Sequence, residues 1–152
     1  MRLLDVIKNN KNNFLNKSML INYNIYMNSV KNQNCKFVID NQVECEQINL
    51  ILDKIKELDK HAKVYVNTYY ISYENDVKIY SDTIWICTYL DLDSVCELFY
   101  KNNIEPSDIE LIQDNLSDEK LSYVIYENYQ IEEIRDFYDK CQNQNICSIY
   151  WD

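Results

Sequence analysis

The sequence predicts a single α+β domain, built as a mostly antiparallel sheet with about three helices packed on it. Three observations carry this reading. Short stretches alternate apolar and polar residues, as half-buried strands do, and others repeat apolar residues every three or four positions, as amphipathic helices do. The two kinds are interleaved without the regular β–α alternation of a parallel α/β fold. With 152 residues, 47% apolar and 26% charged, the chain has globular proportions and the length of one domain over residues 1–152.

Within residues 1–16, Leu3, Leu4, Val6, Ile7, Phe14 and Leu15 form a weak helical pattern, the expected leading helix. From Met19 to Met27 the alternation of Ile21, Tyr23, Ile25 and Met27 predicts a half-buried strand. A polar turn over Asn28 to Asn34 leads into a second strand, Cys35 to Ile39. The spacing of Ile48, Ile51, Leu52, Ile55, Leu58 and Ala62 predicts a helix from Gln42 to Lys60. Asn41 and Glu44 have capping-box spacing at its start, with Asn in place of the usual Ser or Thr.

Lys63 to Tyr73 and Val77 to Leu90 are aromatic and β-branched, and they predict a long hairpin about Glu74-Asn75-Asp76. Asp91 is placed to cap a second helix, in which Leu92, Val95, Leu98 and Phe99 share a face before Asn102-Asn103 ends it. Pro106 predicts a short helical turn over Ser107 to Ile112. A strand at Leu121 to Glu127 follows, then a helix with Ile131, Ile134, Tyr138 and Cys141 on one side. The run Ile146 to Trp151 is apolar apart from Ser148, which predicts a strand buried on both faces. Ile48, Ile51, Leu52, Ile55, Leu98, Phe99, Ile134 and Trp151 are expected to share one core.

The chain contains no glycine, where average usage of about 7% predicts roughly ten. Phosphate-cradling P-loops, Rossmann fingerprints, nucleophile elbows and EF-hand loops need glycine for positive φ or close backbone approach, so their usual forms are excluded. Asparagine and aspartate must fill left-handed turn positions instead. Abundant Asn, Ile, Lys and Tyr beside few Gly, Pro and Ala follow from AT-rich codons and point to a low-GC bacterium or its phage.

No apolar run approaches the roughly 18 residues that span a bilayer, and the opening residues lack the apolar core of a signal peptide. The expected location is cytoplasmic. Six cysteines, Cys35, Cys45, Cys87, Cys96, Cys141 and Cys147, fall mostly within apolar patterns and are expected to be buried, reduced thiols.

The charge is lopsided. Residues 1–76 hold ten basic and nine acidic side chains, whereas residues 77–152 hold five and sixteen, and the chain carries a net charge of −10. Asn102 to Glu119 contains Glu105, Asp108, Glu110, Asp114, Asp118 and Glu119 without a basic residue. On the last expected helix, Glu132, Asp136 and Asp139 share an outward stripe. Glu132 with Asp136 would be a like-charge pair costing about 0.2–0.5 kcal/mol.

Chemistry-bearing patterns are weak. Asp91, Asp93 and Glu97 offer oxygen ligands for a divalent cation, but capping and the helix dipole explain them more simply. The one histidine, His61, falls at a helix end, there is no Cys-x-x-Cys, and no metal or other cofactor is expected. The fourteen tyrosines suit strands, and they equally suit an interface beside an acidic patch.

These features lead to an expected function: a non-enzymatic acidic inhibitor that binds and blocks a basic, nucleic-acid-processing protein. It would serve as a bacterial toxin-immunity protein or a phage anti-defence (anti-CRISPR-like) protein. The expected contact residues are Glu105, Asp108, Glu110, Asp114, Asp118, Glu119, Glu132, Asp136 and Asp139. The partner would be a nuclease toxin or a nucleic-acid-guided effector. Direct nucleic-acid binding is disfavoured by repulsion from phosphates, and no membrane contact is expected. Two readings compete: a small enzyme whose Asp, Glu and Cys residues meet only in three dimensions, and an adaptor subunit with an inert acidic exterior. A concave pocket of convergent polar groups with perturbed proton affinities favours the enzyme, and a convex or open acidic face without such a pocket favours the inhibitor.

Overall fold

The computed structural model describes residues 2–31, 35–68, 70–112 and 121–152. The chain opens with α1 (Arg2–Asn9) and α2 (Lys11–Phe14), which bury Leu3, Ile7 and Phe14. β1 (Ser18–Asn22) follows, and Asn22 then caps α3 (Tyr23–Val30) by accepting hydrogen bonds from the backbone N–H groups of Asn24 and Ile25 at 3.0 and 3.2 Å. The strand expected from Met19 to Met27 is thus a strand only as far as Asn22. Beyond it, Tyr23, Ile25, Tyr26 and Ser29 are the buried residues of a helix.

β2 (Cys35–Phe37) precedes α4 (Gln42–Leu58), which starts where Asn41 accepts from the Glu44 N–H at 2.8 Å. Next come β3 (Lys63–Thr68), β4 (Tyr70–Ser72), β5 (Lys78–Ser81) and β6 (Thr83–Thr88). Asp91 accepts from the Ser94 N–H at 2.8 Å and opens α5 (Leu92–Lys101). At its end Asn103 adopts φ 58°, while the Asn103 and Ile104 N–H groups bond back to the Tyr100 and Phe99 carbonyls. This is a Schellman cap with asparagine in the position glycine usually holds. Asn16 and Asn75 also take positive φ, so asparagine does replace glycine in the turns.

Pro106 leads not into a helical turn but into β7 (Asp108–Leu111), because the free edge of the last strand offers those residues a ladder. β8 (Leu121–Ile125), β9 (Ile131–Glu133), α6 (Ile134–Lys140) and β10 (Asn145–Tyr150) complete the chain. Ile131 and Glu132 therefore lie in a strand, and the helix begins only at Ile134.

The strands form a seven-stranded sheet in the order β7-β10-β6-β3-β1-β8-β9 and a three-stranded sheet in the order β2-β5-β4. Both are mixed, since β1 runs parallel to β8 and β2 parallel to β5. The α+β class holds, but the expectation of a mostly antiparallel sheet with about three helices is corrected to two mixed sheets and six helices among the described residues. The miscount arose from short elements that tertiary packing stabilises rather than local pattern.

The expected hairpin exists and passes through both sheets. Lys63 pairs with Cys87 and Asn67 with Thr83 in the large sheet, and Tyr70 pairs with Tyr80 and Ser72 with Lys78 in the small one, all in one unbroken register. One face of the large sheet carries the main core, where Ile48, Ile51, Leu52 and Ile55 of α4 meet Val95 and Phe99 of α5 and Trp151. On the opposite face Leu20, Tyr65, Trp85, Cys87, Val124 and Ile146 pack with Phe137 and Cys141 of α6. Ile134 joins this second cluster, so the expected single core is divided by the sheet.

Asp59, the C-cap of α4, ties that helix to the end of β6. Its carboxylate accepts from the Thr88 hydroxyl at 2.7 Å, the Tyr89 N–H at 2.8 Å and the His61 N–H at 3.0 Å. Burial pushes the carboxyl up, but these hydrogen bonds outweigh burial and hold it below its ordinary value of 3.8.

Two outcomes are expected. Leu52→Ala should destabilise the protein by about 2–5 kcal/mol, because the 4% exposed side chain leaves a cavity; an unchanged chemical melt would contradict this packing. Asp59→Ala should cost about 1–3 kcal/mol by stranding three donors. Since the folded carboxyl titrates below the unfolded one, the carboxylate's contribution is present above the unfolded value of 3.8 and is lost as pH falls through the folded one. The difference between wild type and variant, measured by urea melts at several pH values, should therefore shrink below that point.

Candidate functional site

Two regions gather chemistry, at opposite edges of the large sheet. The first is the edge formed by β7. Asp108 lies directly opposite Tyr150, and Glu110 opposite Ser148, so these four side chains leave the same sheet face. The Ser107 N–H bonds to the Tyr150 carbonyl at 2.8 Å and the Asp152 N–H to the Ser107 hydroxyl at 2.7 Å, which holds the segment before β7 against the last residues. Glu105, Asp108, Glu110 and Asp152 are exposed. The charges of Asp152 and Asp82 raise the Tyr150 hydroxyl above its ordinary value, with Asp152 the larger cause.

Of the nine acidic residues expected to contact a partner, Glu105, Asp108 and Glu110 fall on this edge. Asp114, Asp118 and Glu119 lie outside the described residues. Asp136 and Asp139 are exposed on α6, while Glu132 is in β9, the far edge strand. Six strand spacings separate the two edges, about 29 Å, so the described acids form two groups. Glu132 is also engaged internally, accepting from the Tyr126 hydroxyl at 2.7 Å and from Lys140 at 2.6 Å. Asp82, Tyr150 and Asp152 are the additions that sequence reasoning missed, since only strand register brings them to the segment beginning at Glu105.

The second region is an open polar cleft of about 630 Å³ where β1 and β8 end and β3 and β9 begin. Asn22, Tyr23 and Asn24 from the start of α3 form one wall, Lys56 and Lys63 another, and the turn carrying Glu127, Asn128 and Gln130 a third. Tyr129 in that turn has φ 65°, a conformation costly for a bulky side chain. Its N–H bonds to the Tyr126 carbonyl at 2.8 Å, and Arg2 stacks over its ring at 5.0 Å. Lys140 lies 5.3 Å from the Tyr126 ring centre. The Lys140 ion pair, followed by the Tyr126 hydrogen bond, holds Glu132 below the ordinary carboxyl range. Burial and the Glu132 charge push Tyr126 up in turn.

Beside the cleft, Cys87 on β6 sits directly across from Lys63 on β3, and α6 ends with Cys141 in the same cluster. Interaction with the neighbouring Cys87 lowers the Cys141 thiol below its ordinary value, against burial, and Lys63 and Lys140 act in the same direction. Cys87 is correspondingly raised well above its ordinary value, first by its neighbour Cys141 and then by burial. Burial alone pushes Cys35 up to about 12. All six cysteines are free thiols.

His61 is exposed, packs edge-on against Tyr89 at 6.0 Å and is hydrogen-bonded through its backbone. Asp91 acts as a helix cap. Among the described residues no group of three or more His, Cys, Asp or Glu is arranged to hold a metal ion, and no helix is long and apolar enough to cross a membrane.

Titration of the unfolded chain with a thiol reagent, without reductant, should return six equivalents. A deficit of two would show that a pair such as Cys87 and Cys141 had been joined.

No protein-family model, no curated protein and no solved structure matches this chain, so any reading of function rests on the geometry of these two regions.

Proposed function

We propose that this protein is a non-enzymatic acidic inhibitor that covers a basic surface on a nucleic-acid-processing protein, as a toxin-immunity or phage anti-defence protein would. The observation that carries the reading is the edge at β7. Glu105, Asp108, Glu110 and Asp152 are exposed there around Tyr150, and none of them takes part in an ion pair among the described residues. An unneutralised acidic patch steers a basic partner and raises its association rate. A tyrosine amid the acids supplies the apolar contact that charge alone lacks. Each rim pair contributes little by itself, so the summed field matters more than any one carboxylate.

A second reading, a small enzyme, is supported by the cleft, where a glutamate and a tyrosine with shifted proton affinities converge on a lysine. The edge is favoured because it leaves its charges open to a partner, while Glu132 and Lys140 in the cleft neutralise each other.

The test is capture of the partner from the source cell, followed by association kinetics. Replacing Glu105, Asp108 and Glu110 together by Lys should slow association about tenfold or more without altering the melt. Wild-type association should slow as salt rises, because the Debye length falls from about 10 Å at 0.1 M to about 3 Å at 1 M. An acidic partner, or a triple variant that associates at the wild-type rate, would sink the proposal.

A further inference from the structure

The cleft stands out against the charge of the rest of the molecule. The chain carries a net charge of −10, yet three lysines face this one concavity from three elements, Lys56 on α4, Lys63 on β3 and Lys140 on α6. Lys140 is matched by Glu132 at 2.6 Å. Lys56 and Lys63 have no carboxylate within ion-pair distance among the described residues. The remaining acid of the lining, Glu127, sits on the opposite turn and is exposed. A concave wall with low-dielectric protein behind it focuses the field of such charges.

The start of α3 also lines the cleft, but the Asn22 side chain already takes the Asn24 and Ile25 N–H groups, so binding an anion falls to the lysines. Two ammonium groups, compact and strongly hydrated, match a dianion better than a single carboxylate. Around them Asn24, Asn128 and Gln130 supply both donors and acceptors for a neutral polar group. The volume of about 630 Å³ lies in the middle of the range for small-molecule sites.

We propose that this cleft binds a small phosphomonoester of mononucleotide size, with the phosphate held by Lys56 and Lys63 and the neutral part read by the asparagine and glutamine side chains. The site is separate from the acidic edge and stands whether or not that edge binds a basic protein. It involves no chemical step.

The experiment titrates the four ribonucleoside monophosphates, and separately the four parent nucleosides, into the intact, isotopically labelled protein and follows backbone amide shifts. At least one monophosphate should bind tenfold or more tightly than its nucleoside, with the largest shifts at Lys56, Lys63 and Asn128. Lys56→Gln and Lys63→Gln should each weaken that binding about tenfold. Both side chains are exposed, so the melts should match wild type. Glu110→Gln, on the far edge, should leave the affinity unchanged. The proposal is overturned if no monophosphate shifts these amides at 10 mM, if nucleosides bind as tightly as their phosphates, or if both lysine variants keep wild-type affinity.

Discussion

The structure depends on the single register of the ribbon that runs from Lys63 to Thr88. Its base, β3 with β6, forms the centre of the large sheet, and its tip forms two of the three strands of the small one. A one-residue slip would turn Val64, Val66, Ile84 and Ile86 away from the α4 and α5 side and bring Tyr65 and Trp85 there instead. Because those two faces have cores of different shape, the slip is penalised on both sides of the sheet at once. The same register sets Lys63 beside Cys87. Continued through β10, it also sets Tyr150 beside Asp108.

That arrangement separates two kinds of charge. The acidic edge lies where β10 ends and β6 begins, and the lysine cleft lies where β1 and β8 end and β3 begins. They are diagonal corners of one sheet, so the negative field of the first is screened from the second by distance and solvent. Without glycine to make phosphate-cradling backbone nests, an anion site in this chain must rely on side chains. Lysines on rigid elements serve that need.

Legibility in the sequence tracked how local the determinants were. The helices α4 and α5 were readable because Asn41 and Asp91 announce their starts and Ile48, Ile51, Leu52 and Ile55, or Val95 and Phe99, keep helical spacing. α3 was not, because Ile21, Tyr23, Ile25 and Met27 fit a strand equally well, and the one contrary signal was the capping position of Asn22. β7 was misread because a four-residue edge strand exists only through its partner β10. At the acidic edge, Glu105 to Glu110 were visible as a run of like charge, but Asp82, Tyr150 and Asp152 join them only through pairing. The cleft left no trace in the sequence, since its lining is drawn from separate stretches between Asn22 and Lys140 and shares no motif.

The parallel pairing of β1 with β8 has a bearing on how the protein is made. Met19, Leu20 and Ile21 leave the ribosome well before either neighbour; the antiparallel one, β3, follows within about fifty residues, but Tyr123 to Ile125 must pair with them on the other side. At translation rates of about 5–20 residues per second, roughly a hundred further residues take some 5–20 s to appear. Throughout that interval a strand with an apolar centre, Met19-Leu20-Ile21, presents an open hydrogen-bonding edge, the feature that seeds association between nascent chains. The rate of elongation and the chaperones that meet the growing chain thereby become part of what decides its yield.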